Sequence, residues 1–177
     1  MGESYQGGRL ARGVNAQLAR QFMTVFDRII ALLDSKCVAY RVSRHEPVFT
    51  SEEAARARGA PLSSGAKALI CKAASEFVMF VMPGNRRLDS KLVRKAFNLR
   101  SLRFATREDV EQLTTLLPGS IPPFGSLFGL ATFCDEELAG QATINFNAGD
   151  HAISVAMAFA DYVAAEAPKL GRFSVVA

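Results

Sequence analysis

Residues Pro118–Gly125 read Pro-Gly-Ser-Ile-Pro-Pro-Phe-Gly. Gly119 admits backbone angles closed to other residues, and Pro122-Pro123 fixes φ twice and removes two N–H donors. Such a segment makes a stiff loop rather than a helix or a central strand. Its carbonyls and remaining N–H groups either line a pocket or simply connect two elements. Lys67 is a second chemical candidate, a cation inside the apolar run Ala66–Cys71. On a strand it shares a face with Leu69 and Cys71, and Ala68 points the other way. It either binds a phosphate or an ester group, or snorkels to water from a strand end. The two histidines are His45, in His-Glu-Pro, and His151, closing Asn147-Ala148-Gly149-Asp150-His151. Each is either a site residue or a loop histidine holding a backbone group.

Several chemistries are missing. There is no G-x-S-x-G elbow, no P-loop and no H-E-x-x-H. Cys37, Cys71 and Cys134 are scattered and odd in number, with no C-x-x-C, so neither a disulfide framework nor a zinc site is indicated and the cysteines are expected reduced. A hydrolase built on Cys71 or Cys134 is a weaker alternative, since neither has a base at a recognisable spacing. The formal net charge is +4, which is compatible with a nucleic-acid partner without requiring one. Arg86, Arg87, Lys91, Arg94, Lys95, Arg100, Arg103 and Arg107 form a basic block broken only by Asp89. That block either contacts phosphates or is a solvated face.

These residues need elements to position them. Apolar periodicity predicts a helix over 21–35 and a strand over 38–42. Thr50 with Glu53 is a capping-box signal for a short helix ended by Gly59 and Pro61. Strands are expected over 66–72 and 77–82, joined by a tight turn at Ala74-Ser75, with a second turn at Pro83-Gly84-Asn85. Asp89 or Ser90 caps a helix carrying Leu92, Val93, Ala96 and Phe97. A strand over 101–105 follows, then a helix starting at Thr106. Beyond the Gly/Pro loop come a strand over 128–133, a helical turn or tight bend over 135–138, a hairpin of 142–146 with 152–157 and a helix over 158–166, and residues 173–176 either add an edge strand or lie free. The intermixing predicts an α/β chain of the α+β type, with a mixed, largely antiparallel sheet and flanking helices. Residues 1–20 read as a flexible leader and 21–177 as a single domain. Arg9, Arg12 and Arg20 leave an organellar transit segment open beside a plain leader. No apolar run approaches a membrane span.

Gly119-Ser120-Ile121-Pro122-Pro123-Phe124-Gly125 resembles the G-x-x-x-P loop of the YbaK/prolyl-tRNA-synthetase-associated domain family. His45-Glu46-Pro47, Lys67-Ala68-Leu69 and Asn147–His151 occur in that family's order, so the resemblance spans most of the chain. It implies a curved, barrel-like sheet with a pocket at one end. It also implies an aminoacyl-tRNA deacylase acting in trans in the cytoplasm, with Cys- or Ala-tRNA(Pro) as target, prolyl-tRNA synthetase as a possible partner, no membrane, and no metal or organic cofactor. An aminoacyl ester is activated and has a ribose hydroxyl beside it, so water can cleave it without a protein nucleophile. By the resemblance Lys67, Gly119 and Pro123 are the catalytic set. His45, Ser120, Phe124, Gly125, Gly149 and His151 bind substrate, and Arg86, Arg87, Lys91, Arg94 and Lys95 are candidates for the tRNA. Ala68 and Pro122 depart from the small polar residues many members have there. That keeps open a catalytically silent tRNA-binding or synthetase-associated adaptor of the same fold.

Overall fold

The computed structural model describes residues 23–177. The leader over 1–20 and the first residues of the helix expected from 21 lie outside the described residues. Helix α1 (Val25–Ser35) begins at Thr24, whose side chain accepts the Asp27 N–H while Asp27 takes the Thr24 N–H. Val25, Ile29 and Leu33, four apart, form its buried stripe. Strand β1 (Tyr40–Arg44) leads to helix α2 (Ser51–Arg58), with the expected Thr50–Glu53 capping box at one end and Gly59 at φ 60° at the other. A 3-10 turn over Leu62–Ser64 delivers the chain to the central hairpin, β2 (Ala66–Ala73) and β3 (Glu76–Pro83), paired antiparallel along its whole length. Val78–Met82 are all buried, as the unbroken apolar run requires of a strand covered on both faces.

Strand β4 (Arg86–Leu88), helix α3 (Ser90–Phe97), strand β5 (Leu102–Phe104) and helix α4 (Arg107–Thr114) follow. Asp89 caps α3 through the N–H groups of Lys91 and Leu92, and a Thr106–Asp109 capping box starts α4. After the Gly/Pro loop the chain makes a 3-10 turn over Gly125–Phe128 and enters β6 (Ala131–Asp135). Strands β7 (Thr143–Asn147) and β8 (Ile153–Ala158) form the expected hairpin, helix α5 (Phe159–Glu166) ends at Ala167 before Pro168, and β9 (Lys169–Gly171) and β10 (Ser174–Val176) close the chain.

The strands divide into sheets ordered β5-β2-β3-β6-β9, β1-β8-β7 and β10-β4. A bridge between Gly65 and Asn145 joins the first two where β2 begins. Most pairings are antiparallel as expected; β3–β6 and β6–β9 are parallel. Three details differ from the sequence reading. β6 starts at Ala131 rather than at 128, because the 3-10 turn takes up 125–128. Strands β4 and β9 are three residues long, too short for periodicity to reveal.

Two buried clusters lie on the faces of the β2–β3 hairpin. One, including Ile70, Met79, Val81, Phe124, Phe146 and Tyr162, supports the Gly/Pro loop from below. The other is aromatic, with Phe80, Phe133 and Phe173 buried and Phe97 against them. The fully buried carboxylate of Asp135 accepts the N–H groups of Phe173 and Ser174 at 2.9 and 2.8 Å. It thereby fixes β10, and β10 fixes β4.

Candidate active site

A cavity of about 180 Å³ opens where β2 begins. Its lining is part apolar, from Ala54, Ala66, Ala68, Leu69 and Ile121, and part polar, from Thr50, Arg58 and Asn147. Lys67 and Gly119, 52 residues apart in sequence, line it together.

Lys67 is half-buried, and its Nζ donates to the Arg86 carbonyl on β4 at 2.6 Å. An ammonium carries three donors, so two remain for a ligand. Burial pulls its pKa below that of a free lysine, opposed by the carboxylate of Glu52. The chain of support is traceable: Asp135 holds β10, β10 pairs with β4, and β4 presents the carbonyl that holds the lysine.

Gly119 sits at φ 93°, where a side chain is strained, and an added Cβ would stand 3.1 Å from Cε1 of His151. Its carbonyl accepts from Asn147 Nδ2 at 2.8 Å. Asn147 Oδ1 accepts from a terminal nitrogen of Arg58. Arg58 Nε donates to Ser154 Oγ at 2.8 Å, and Ser154 Oγ lies 2.7 Å from His45 Nε2. His45 Nδ1 is 2.8 Å from the Glu46 carbonyl, which can only accept, so Nδ1 carries the proton and Nε2 accepts from the serine. Arg58 is thus the central donor of a hydrogen-bonded chain, one arm running through Ser154 to His45 and the other through Asn147 to the Gly119 carbonyl. Arg58 has no carboxylate within salt-bridge distance among the described residues. Burial lowers its pKa to about 10, which leaves it a cation at neutral pH.

The remaining residues singled out from sequence fall into three groups. His45, Gly149 and His151 brace the rim without lining the cavity. His151 Nδ1 bonds the Val48 carbonyl at 2.9 Å, and the Gly149 N–H donates to Ser120 O at 2.9 Å. Gly149, at φ 82°, leaves only 3.0 Å between an added Cβ and Val25 of α1. The second group is buried and does not line the cavity. Ser120 is buried, its hydroxyl spent on the Leu117 carbonyl. Pro123 is buried with its carbonyl held by Tyr162 Oη at 2.8 Å. Phe124 is fully buried, edge-on to Phe146 and Tyr162. Gly125 donates to Thr132 Oγ1 and has no room for a Cβ. Ser120, Pro123, Phe124 and Gly125, expected from sequence at the substrate, do not line the cavity, and the contacts seen for them support the loop.

In the third group, Arg86 is not a free cation. Its Nε and a terminal nitrogen bond Ser174, and Glu137 lies 3.6 Å away. Arg87, Lys91, Arg94 and Lys95 are exposed. Cys71 and Cys134 are fully buried, and burial pushes both thiols up to about 12, which removes them as nucleophiles. Among the described residues no cluster of His, Cys, Asp or Glu could hold a metal, and no helix is long and apolar enough to cross a membrane.

Sequence reasoning missed Phe49, Arg58 and Ser154, and took Thr50 only as a cap. Arg58 closes a polar helix and reads there as a solvated charge. Asn147 carried a weak signal, since it opens the motif that ends at His151.

The chain is 34% identical over 152 residues to the multifunctional Ser/Thr-tRNA deacylase ProXp-y of Escherichia coli strain K12, a match covering 82% of this chain and 90% of that protein. It is 23% identical over 139 residues to the prolyl-tRNA editing protein ProX of Acetoanaerobium sticklandii, covering 75% and 85%. Its fold superposes with a TM-score of 0.75 on a crystal structure described as a candidate trans-editing enzyme for prolyl tRNA synthetase, at 22% identity over 87% of this chain and 99% of the other. A model of aminoacyl-tRNA editing domains matches residues 45–165, and the chain belongs to that family.

Proposed function

We propose that the protein is a deacylase that releases a small amino acid from mischarged tRNA in trans, in the cytoplasm where charged tRNA is used. Water adds to the ester carbonyl carbon, the bond to the ribose oxygen breaks, and that oxygen leaves with a proton. The products are a free amino acid and a tRNA with its terminal hydroxyl restored. The observation that carries the reading is the shared cavity of Lys67 and Gly119, in a site with no partnered nucleophile. The two remaining Nζ donors of Lys67 meet the charge that develops on the carbonyl oxygen. The N–H of Gly119 has no acceptor among the described residues and is free to bind the ester. Water displaced from the cavity by the bound substrate leaves both interactions stronger.

At about 180 Å³ the cavity is smaller than the range of about 300–1,000 Å³ typical of drug-sized ligands, which fits an aminoacyl group and leaves the nucleotide outside. Its polar lining, and the Ser/Thr-tRNA deacylase among the relatives, favour a hydroxyl-bearing side chain over the Cys or Ala expected from the family resemblance. The exposed Lys91, Arg94 and Lys95 share one face of α3, next to the strand that holds Lys67, and supply phosphate contacts.

The test is release of amino acid from a panel of Ser-, Thr-, Ala- and Cys-charged tRNAs, including tRNA(Pro). Activity on at least one, lost in Lys67→Ala, is expected. A wild-type protein that binds charged tRNA and releases nothing would favour the silent adaptor. Alanine at Lys91 and Lys95 should weaken tRNA binding evenly across sequences and shallow its salt dependence by roughly one unit of slope per lysine.

A further inference from the structure

The cavity takes an aminoacyl group but not the adenosine to which that group is esterified, so the adenosine must sit at the mouth. Phe49 stands there. It lines the cavity, and it is 70% exposed. Among the apolar side chains that line the cavity it alone is exposed, an aromatic face open to a ligand at the mouth.

The ring is held, not loose. The Phe49 N–H donates to Glu53 Oε2 at 2.8 Å, inside the capping box that starts α2. The preceding residue is clamped to the β7–β8 hairpin: the Val48 N–H reaches the His151 carbonyl at 3.0 Å, and Val48 O meets His151 Nδ1 at 2.9 Å. The His151 ring lies 4.7 Å from the Phe49 ring, tilted by 36°. His151 is also the ring against which Gly119 is packed. One histidine therefore fixes both the catalytic loop and the exposed phenyl ring, and sets their spacing.

We propose that Phe49 is a stacking platform for the terminal adenine of the substrate tRNA, a proposal that rests on the deacylase reading above. Every tRNA ends in the same adenosine, so an aromatic face at the mouth gains affinity whatever amino acid is attached. Stacking suits this task because any base offers a π-face and no hydrogen-bond pattern need be matched. The rival occupant is the amino-acid side chain. Against it, the amino-acid side chain already has the lining of the interior, Ile121, Thr50 and Asn147 among it, whereas the Phe49 ring is exposed.

The probe is an acceptor-stem microhelix ending in CCA, with serine attached to the terminal ribose through a non-hydrolysable amide. A second probe is identical but lacks the terminal base. Phe49→Ala should weaken binding of the first by roughly 5- to 140-fold, the equivalent of stacking one base. Phe49→Trp should bind it like wild type, and Phe49→Ala should bind the abasic probe no worse than wild type does. Equal losses on both probes would assign Phe49 to the aminoacyl group and overturn the proposal. So would no loss on either, or no measurable binding of the intact probe by wild type. Failure of the deacylase reading looks different: no amino acid released from any charged tRNA, with the base-dependent difference in binding intact.

Discussion

Strand β2 carries a lysine near each end, and the two have different fates. Lys67 stands at the end where Gly65, Gly84 and Gly119 converge, and its amine reaches a backbone carbonyl inside a cavity. Lys72 stands five residues on, beside the tight turn at Ala74, where its Nζ lies 5.2 Å above the ring of Phe77. The strand is the same and the flanking residues are apolar in both cases. What differs is the backbone around them. At the Lys67 end a loop locked by prolines, a helix N-terminus and a strand bridge meet without side chains large enough to fill the space. At the Lys72 end the hairpin simply closes, and Ala74 at φ 54° completes it. A lysine becomes a site when its neighbours leave a hollow, not because of its own position in an apolar run.

The largest expected effect tests that contrast directly. Lys67→Ala should lower deacylation by about 10²–10³-fold, the loss typical of one preorganised donor at a developing oxyanion. The melting temperature should change little, since the Arg86 carbonyl it releases faces a wet cavity. Single-turnover release of amino acid, with thermal unfolding measured alongside, decides the matter; a variant with wild-type rate would put the chemistry elsewhere.

Gly119→Ala comes next. An alanine at φ 93° costs about 1–3 kcal/mol, and its Cβ would press on the His151 ring. The loop should shift rather than the protein unfold, with activity down by at least tenfold and a modest fall in melting temperature. Retained activity would mean that the loop does not position the ester.

How much of this could be read from the residues depends on the range of the forces involved. The capping box at Thr50, the helix start at Thr106 and the hairpin turns were legible because each is settled within a few residues. Lys67 and Gly119 were legible through family resemblance, not through spacing. Ser120, Pro123, Phe124 and Gly125 were read as functional because the family resemblance covers the whole Gly/Pro loop. The structure splits that loop at Ile121, because Tyr162, 39 residues further on, captures the Pro123 carbonyl. Arg58 and Ser154 could not be seen at all. Their partnership spans 96 residues and depends on β8 lying beside the end of α2.

That partnership supplies the third test. Asn147→Ala removes the link between Arg58 and the Gly119 carbonyl while leaving Lys67 untouched. The exposed Gly119 carbonyl can turn to water, but leaving the part-buried guanidinium short of a partner costs about 1–3 kcal/mol. We expect a fall in rate of roughly tenfold on that scale, smaller than for Lys67→Ala and expressed in kcat rather than in KM, because the loop is misplaced and not removed. Asn147→Asp, which would form an ion pair with Arg58 but cannot donate to Gly119, should fold well and still be slow. A fast Asn147→Asp enzyme would show that the hydrogen-bonded chain serves stability alone.

The smallest expected effect belongs to the far end of β2. Lys72→Met keeps most of the aliphatic stem over Phe77 and deletes the charge. An exposed cation–π contact is worth about 0.5–1 kcal/mol, and Arg103 also lies over the same ring, at 5.9 Å. The loss of stability should therefore fall at or below the lower end of that range, and the deacylation rate should stay within about twofold of wild type, the spread that a ΔΔG‡ of about 0.4 kcal/mol allows. The comparison needs this null effect as much as it needs the large one. If removing Lys72 slowed the reaction as removing Lys67 does, the common cause would be the positive charge of the strand as a whole acting on an anionic substrate from a distance. Raising the salt concentration would then erase both effects together. If only the Lys67 effect is present and it survives salt, the lysine acts at contact distance, inside the hollow that three glycines leave at its end of the hairpin.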